Sequence, residues 1–211
     1  NGLINLCSAY NKKLISSELI AREACEVEID VLKSPIGKQD QYASAIGGLN
    51  FIRFNSDESV TVEKITLSEG KKEKLQNSLM LFYLGSTRSA SEVLQKIDMS
   101  QKTTTLRKMV TLTEILRDEL NNDSIDSFGD VLRQAWEYKK ELSSDISNAT
   151  IDHWYKVALE NGAEGGKVLG AGSGGFLLLY VSKGQELVRD ALRLYELPFR
   201  FEDYGTKIIY Q

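Results

Sequence analysis

A run of small residues late in the chain carries the most specific chemical signal in the sequence. It follows the pair Gly165-Gly166 closely and consists of Gly170, Ala171, Gly172, Ser173, Gly174 and Gly175. A backbone without bulky side chains can adopt positive φ and bring its N–H groups close to an anion. A tight structural turn is the simpler alternative, but a turn requires fewer glycines than this run contains. We therefore expect the loop to approach a phosphate group or a substrate.

The glycine run also matches the dinucleotide-binding pattern G-x-G-x-x-G, with Gly170, Gly172 and Gly175 in register. In a Rossmann fold a helix follows this loop and presents its N-terminus to the pyrophosphate. Here residues 176–181 read Phe-Leu-Leu-Leu-Tyr-Val, an apolar run that is typical of a buried strand. A glycine loop between two strands excludes the Rossmann arrangement.

Four acidic residues early in the chain could take part in proton transfer or metal binding. Asp40 lies at the start of a predicted short helix, where a carboxylate can accept a proton from a substrate hydroxyl. An N-cap aspartate would explain the same residue. Glu26, Glu28 and Asp30 lie on the preceding predicted helix and read most simply as surface acids. If one of them faces a cleft, it could hold Mg²⁺ together with substrate phosphates.

The other reactive side chains limit the kinds of catalysis and binding that the sequence allows. Arg88 follows a predicted strand and suits a phosphate or sugar oxygen, with a surface or capping arginine as the alternative. His153 is the only histidine and stands at a helix start, where we expect a surface or capping role. Zinc chemistry is excluded because the sequence lacks a ligand set. Cys7 and Cys25 lack metal spacing and fall in helical patterns, which predicts buried free thiols in a reducing, cytoplasmic compartment.

The composition is that of an ordinary globular protein. The residues are 42% hydrophobic and 27% charged. The length of 211 residues is enough for one large domain or two small ones. The net charge of −4 argues against a nucleic-acid partner, because such partners usually require a basic face. No apolar run approaches the length of a membrane span, and no signal-peptide pattern is present, so we expect no membrane partner.

Hydrophobic periodicity predicts the elements that would position these residues. Helices are predicted over 1–10, 17–32, 103–121, 126–142, 148–161 and 184–194, with a short helix ending near residue 46 and another ending near residue 97. Strands are predicted over 49–54, 60–65, 79–84, 165–169, 175–181, 197–202 and 206–210. This order indicates an α+β fold with helices on one face of an antiparallel or mixed sheet. Residues 1–65 are predicted to be the remnant of one domain, and residues 66–211 a second domain.

Two separated stretches resemble GHMP kinases, the superfamily of galactokinase, homoserine kinase, mevalonate kinase and phosphomevalonate kinase. They are Ile36-Gly-Lys-Gln-Asp-Gln-Tyr-Ala-Ser-Ala-Ile-Gly-Gly-Leu-Asn50 and Lys167-Val-Leu-Gly-Ala-Gly-Ser-Gly-Gly-Phe176. The resemblance spans nearly all of the chain and is greatest to bacterial D-glycero-D-manno-heptose 7-phosphate kinases. It implies the remnant of an S5-like N-terminal domain, followed by a ferredoxin-like C-terminal domain with added helices.

The resemblance implies transfer of the γ-phosphoryl group of ATP, with Mg²⁺, to a hydroxyl of a small molecule. Asp40 corresponds to the catalytic base, Glu28 to a glutamate that binds magnesium, and residues 170–175 to a glycine loop that supports the phosphate-binding loop. The candidate substrate-binding residues are Gly37, Lys38, Gln41 and Arg88. Charge and loop position favour Lys38 and Arg88 for the phosphate that the sugar already carries.

The implied acceptor is the anomeric hydroxyl of heptose 7-phosphate. Three alternatives stay open: a sugar kinase of the fucose or galactose type, a non-catalytic sugar- or nucleotide-binding remnant, and a structural α+β interaction module. The expected partners are therefore ATP and a sugar phosphate, and the sequence also allows a homodimer.

The start of the chain departs from the family pattern. GHMP kinases carry an N-terminal substrate motif and a Pro-x-x-x-Gly-Leu-Gly-Ser-Ser loop around the ATP phosphates, and this sequence contains neither. Asn1 already stands inside a helical pattern. We therefore expect the chain to be incomplete and to bind ATP poorly by itself, since phosphoryl transfer depends on positioning and charge stabilisation. The kinase interpretation also requires Asp40, Glu28 and the loop 170–175 to line one cleft.

Overall fold

The computed structural model describes residues 1–85 and 102–209, and the chain divides into two compact units. The first unit comprises Asn1–Thr66 together with Phe201–Gln211, and the second comprises Leu67–Arg200. The last residues of the chain therefore group with its beginning. The division into domains at residues 65 and 66 stays a prediction.

The described part of the first unit contains helices and one antiparallel hairpin. In chain order the elements are α1 (Gly2–Tyr10), α2 (Ser17–Cys25), a π-helical turn (Glu26–Val31), α3 (Gln39–Ile46), β1 (Asn50–Phe54) and β2 (Val60–Lys64). Helix α2 begins where the Ser16 hydroxyl accepts a hydrogen bond from the Leu19 N–H at 3.2 Å, an N-cap. The predicted helix over 17–32 therefore consists of an α-helix and a wider π-helical turn.

Helices α2 and α3 pack against each other over a small apolar core. Its buried residues are Ile20, Ala21, Cys25, Tyr42 and Ala45. Both cysteines are free thiols, and Cys25 is buried as expected. Cys7 is exposed, so its predicted burial is wrong, because α1 contributes no buried residue. His153, as predicted, lies at the surface near the start of its helix.

The second unit is built on a sheet of four antiparallel strands with helices between them. The described elements are α4 (Glu69–Ser78), β3 (Leu79–Tyr83), α5 (Thr103–Asn121), α6 (Phe128–Leu142), a 3₁₀ turn (Ser144–Ile146), α7 (Ala149–Glu160), β4 (Gly165–Val168), β5 (Phe176–Tyr180), α8 (Gln185–Leu192) and β6 (Tyr195–Glu196). The strands lie in the order β4-β5-β3-β6. This order and the alternation of strands with helices confirm the α+β class and the ferredoxin-like expectation.

The strand register places one face of this sheet in the core. Met80 lies opposite Leu179, and Phe82 lies opposite Leu177, so that these four side chains share one face. All four are at most 1% exposed. Helix α6 adds the fully buried Trp136 to the same cluster. Because β4 and β5 are consecutive and antiparallel, the glycine loop forms the turn that joins them.

The end of the chain differs from the sequence prediction. The strand predicted over 197–202 is wrong, since β6 contains only Tyr195–Glu196. Pro198 has no N–H to donate, so pairing cannot continue past Leu197, whose N–H donates to the Leu81 carbonyl at 2.8 Å. Residues 206–209 are likewise not a strand.

Two further elements were not anticipated or cannot be compared. Helix α4 was missed because its sequence is almost entirely polar and buries only Leu75 and Ser78. The predicted helix ending near residue 97 lies outside the described residues. Within residues 1–85 and 102–209, none of the helices combines the length and the apolar character needed to cross a membrane.

Candidate functional site

Glu28 and Gln41 form the centre of a polar pocket in the first unit. Glu28 lies on the π-helical turn after α2, a wider turn that often occurs at functional sites. Gln41 lies in the first turn of α3 and is only 4% exposed. Its side-chain nitrogen Nε2 donates a hydrogen bond to Oε2 of Glu28 at 2.6 Å. The packing of α2 on α3 thus fixes the carboxylate of Glu28. From the sequence alone, Glu28 could be either a surface acid or a metal ligand.

Asp40 lines the same pocket as Glu28 and Gln41. The pocket has a volume of about 330 Å³. Asp40 is the second residue of α3 and not its N-cap, which is Lys38 without a side-chain capping bond. The N-cap explanation for Asp40 is therefore wrong. Its side chain is exposed, so that a bound molecule can reach the carboxylate.

The pocket also contains buried oxygen atoms without a partner. Among the described residues, no group donates a hydrogen bond to Oε1 of Gln41 or to Oδ1 of Asn1. Asn1 is held beside them, because its Nδ2 donates to the Gln41 carbonyl at 2.8 Å. An unsatisfied buried acceptor is costly, and it commonly marks a position that a water, an ion or a ligand fills.

The carboxylate oxygens of the pocket fit a magnesium ion that is held jointly by protein and substrate. Mg²⁺ prefers oxygen ligands and in phosphoryl-transfer sites takes one or two carboxylates together with phosphates. Glu28 and Asp40 supply two carboxylates at one pocket. In the part of the chain that the structure describes, no three His, Cys, Asp or Glu side chains form a metal cluster. Two carboxylates at one pocket suit a metal that binds together with phosphates.

The C-terminal segment supplies one wall of this pocket, which sequence reasoning missed. Thr206 lines the pocket, and both its N–H and its hydroxyl donate to the Ser44 carbonyl, at 3.1 and 3.2 Å. The Thr206 carbonyl accepts a hydrogen bond from Nδ2 of Asn5 at 3.1 Å. Since Thr206 and Ser44 are 162 positions apart, no local pattern could have joined them.

The predicted substrate-binding residues do not all lie at this pocket. Lys38 lines a different opening of about 830 Å³, which it shares with Arg22. Four acids, Glu18, Glu26, Asp30 and Glu58, also line that opening and outnumber the two cations. Gly37 is exposed just before Lys38 and lines neither pocket. Arg88 lies outside the described residues.

The glycine loop is held by backbone contacts in the second unit. Ser173 has a φ of 62°, which is unusual for a residue with a side chain. Its N–H donates to the Ile146 carbonyl at 2.8 Å, and its hydroxyl donates to the Asp145 carbonyl. A side chain at Gly172 would place its Cβ 2.6 Å from the Ile146 oxygen. The loop is therefore fixed against the 3₁₀ turn and cannot accept larger residues at its centre.

Two lysines that the sequence did not single out lie at the base of the loop. Lys139 of α6 donates to the carbonyls of Val168 and Gly170. Burial, and to a lesser extent the nearby charge of Lys167, lowers the pKa of Lys139 to about 8. Burial also lowers the pKa of Lys167. Because the loop belongs to the second unit and Asp40 to the first, their convergence on one cleft stays a prediction.

Part of the chain matches a known protein family. Residues 116–196 match the family model described as GHMP kinases C terminal. This range contains α6, the strands β4 and β5 and the whole glycine loop. In this range the chain is similar to the C-terminal domain of GHMP kinases, as the sequence resemblance indicated.

The individual relatives are sugar kinases. The D-glycero-alpha-D-manno-heptose 7-phosphate kinase of Campylobacter jejuni is 29% identical over 197 residues, which cover 89% of this chain and 58% of the relative. The bifunctional fucokinase/GDP-fucose pyrophosphorylase of Arabidopsis thaliana is 27% identical over 198 residues, 90% of this chain and 18% of the relative.

A solved structure extends the similarity to nearly the whole chain. The crystal structure of a D-glycero-D-manno-heptose 1-phosphate kinase from Bacteroides thetaiotaomicron has a TM-score of 0.71 and 25% identity, and covers 98% of this chain and 60% of that one. The chain thus spans about 60% of the length of the heptose phosphate kinases that it matches.

Proposed function

We propose that this chain belongs to an ATP-dependent kinase of the GHMP type that phosphorylates a sugar phosphate. The observation that carries the proposal is the pocket at which Asp40, Glu28 and Gln41 meet. A simple binding protein has little need for an exposed carboxylate beside a second, hydrogen-bonded one. The similarity to the heptose 7-phosphate kinase of Campylobacter jejuni supports the same class of reaction.

In the proposed reaction Asp40 acts as general base. The acceptor hydroxyl oxygen bonds to the γ-phosphorus of ATP as the bond from that phosphorus to the β,γ-bridging oxygen breaks, which releases ADP. The proton of the hydroxyl passes to the carboxylate of Asp40. Gln41 holds Glu28 in place through its Nε2, and its unpartnered Oε1 can accept a hydrogen bond from the sugar. A magnesium ion held by Glu28 and the phosphates would neutralise charge that develops during transfer.

The acceptor that we propose is heptose 7-phosphate, phosphorylated at its anomeric hydroxyl. The heptose phosphate kinases among the relatives, from Campylobacter jejuni and Bacteroides thetaiotaomicron, support this choice. A fucose-type acceptor is the second candidate, because the Arabidopsis thaliana fucokinase matches 90% of this chain at 27% identity. A coupled ADP-release assay of the intact protein against heptose 7-phosphate, fucose and galactose distinguishes the acceptors.

The role of Asp40 is tested with Asp40→Asn in the intact protein. We expect the kcat for phosphoryl transfer to fall about 10²- to 10⁴-fold while ATP binding is retained, because only the proton acceptor is lost. Asp30→Asn is the matched control, since Asp30 is an exposed acid of the π-helical turn that does not line the pocket. Turnover that is unchanged in Asp40→Asn would remove Asp40 from the mechanism.

A further inference from the structure

Lys139 makes an unusual contact for a lysine near the end of a helix. It lies in the last turn of α6, where a lysine commonly interacts with the final carbonyls of its own helix. Here its Nζ instead donates to two carbonyls of another segment, that of Val168 at 3.2 Å and that of Gly170 at 2.5 Å. These two carbonyls flank Leu169, at the point where β4 ends and the glycine loop begins.

Close packing of α6 on β4 brings Lys139 to this position. Gly129 of α6 lies directly over Gly165 of β4, where a Cβ would approach the Gly129 oxygen to 1.9 Å. The helix therefore lies closer to the strand than side chains would allow. The ring of the buried Trp136, almost one turn earlier, lies 5.9 Å from Nζ of Lys139, within the range of a cation–π contact with the ammonium group.

The lysine contacts the first half of the loop, which Ser173 does not reach. The second half is held through Ser173, which donates to the carbonyls of Ile146 and Asp145. In the first half Gly170 has a φ of 68°, and a Cβ built there meets no atom within 4 Å. The space on the Cβ side of Gly170 is therefore open, and the bond from Lys139 to its carbonyl is a contact that restrains it.

The position of Lys139 carries an electrostatic cost that a surface lysine would avoid. Its ammonium group is partly removed from water and lies near Lys167, which also has a lowered pKa because of burial. The neighbouring Lys140 pairs instead with Glu137 at 3.0 Å, which leaves Lys139 without that carboxylate. Two carbonyl acceptors offset the loss of water, since charge-assisted hydrogen bonds are stronger than neutral ones.

We propose that Lys139 is a positioning residue for nucleotide binding, which it supports by holding the carbonyls of Val168 and Gly170 and so fixing the first half of the glycine loop. The proposal rests on the proposed kinase function in one respect, namely that the loop serves the phosphates of ATP. Lys139 itself does not act on the reacting atoms.

The test compares Lys139→Met with Lys140→Met in the intact protein. Lys140 is the matched control because it lies one residue away, at a similar distance of 6.0 Å from the Trp136 ring, and does not contact the loop. We expect amide hydrogen exchange at residues 169–175 to accelerate about tenfold or more in Lys139→Met and to stay unchanged in the control. Unchanged exchange in Lys139→Met would overturn the proposal.

Kinetics and a second variant make the outcome decisive. The KM for ATP should rise several-fold in Lys139→Met while kcat changes less, and the KM for the sugar should stay constant. Faster loop exchange with an unaltered KM for ATP would overturn the nucleotide role. If Lys139→Met does not fold, Lys139→Gln replaces it, because Gln retains a donor on a shorter side chain. Lys139→Gln should show the same acceleration of amide exchange at residues 169–175. Because exchange requires no turnover, failure of the kinase assignment would be recognised separately.

Discussion

The polar pocket of the first unit and the glycine loop of the second are built in opposite ways. Around Asp40 the pocket is formed by side chains, which come from α3, from the π-helical turn and from the C-terminal segment. The loop is formed by the backbone, whose shape depends on having few side chains. Within residues 1–85 and 102–209, buried oxygens of the pocket have no hydrogen-bond donor, whereas Ser173 in the loop has both of its polar groups bonded. Substitutions in the pocket should therefore impair its chemistry more than its fold. Substitutions in the loop should impair the fold more than the chemistry.

The largest effect on stability is expected within the loop. Gly172→Ala should lower the free energy of unfolding by about 2 to 4 kcal/mol, because the new Cβ meets the Ile146 carbonyl and φ is 105°. Gly170→Ala should cost only about 1 to 2 kcal/mol, since it has positive φ but open space. Chemical denaturation of both variants measures the difference. Equal losses would mean that the close approach to Ile146 is not limiting.

The loop also predicts how stability depends on pH. The pKa of Lys139 is about 8 in the folded protein and 10.5 when the side chain is free, so the unfolded chain binds more protons between these values. The free energy of unfolding should therefore rise by about 2 kcal/mol as the pH increases from about 8 to 10. Lys167 on β4 contributes in the same direction, whereas Glu137 and Lys140 of α6 pair with each other.

Urea denaturation at a series of pH values tests this dependence. The rise should be smaller in Lys139→Gln than in the wild-type protein, with a remainder due to Lys167. The comparison is best kept below pH 10, because the pKa of Tyr155 is raised to about 12 and its titration opposes the trend above that point. An identical pH dependence in both proteins would show that Lys139 keeps its ordinary pKa.

The pocket of the first unit should respond to changes in its polar contacts. Gln41→Leu removes the hydrogen bond to Glu28 and should lower the free energy of unfolding by about 1 to 2 kcal/mol, because a half-buried carboxylate loses its donor. Gln39→Leu is the control, since Gln39 is exposed on the same helix and does not line the pocket. Thermal or chemical denaturation measures both. A loss that is equal in the two variants would argue against a structural role for the Gln41 amide.

The smallest effect is expected at the C-terminal wall of the pocket. Thr206→Val keeps the shape of the side chain and removes one hydroxyl bond to the Ser44 carbonyl, while the backbone bond remains. We expect a loss of about 0.5 to 1 kcal/mol by denaturation. A considerably larger loss would indicate that the hydroxyl, and not the backbone, carries the contact with α3.

The sequence predicted the loop far better than the pocket, for physical reasons. Glycines at 170, 172 and 175 are a local signal, because the positive φ at each of them favours this residue type. The strands predicted over 165–169 and 175–181 also agree with β4 and β5 to within one residue at each end. The position of Glu28 depended on a π-helical turn, which periodicity does not reveal. The contribution of Thr206 depended on a contact across 162 positions.

Short-range signals were also misleading where a single residue interrupted them. The apolar residues after 196 favoured a strand, but the missing N–H of Pro198 ended the pairing. Helix α4 had no apolar stripe, so its existence depends on tertiary packing of Leu75, which is 1% exposed. Lys139 looked like any surface lysine, because nothing in its neighbourhood in the sequence indicates that β4 passes beneath it.

The hydrogen bonds that join residues 202–206 to residues 44–48 have a consequence for biosynthesis. The Gly48 N–H donates to the Glu202 carbonyl at 2.7 Å, and the Gly205 N–H donates to the Ile46 carbonyl at 3.1 Å. During translation the ribosome releases residues 202–206 only after the entire intervening unit has emerged. A nascent chain halted at residue 200 therefore holds the Asp40 helix without these hydrogen bonds, and a truncation that removes residues 202–206 would weaken the pocket around Asp40.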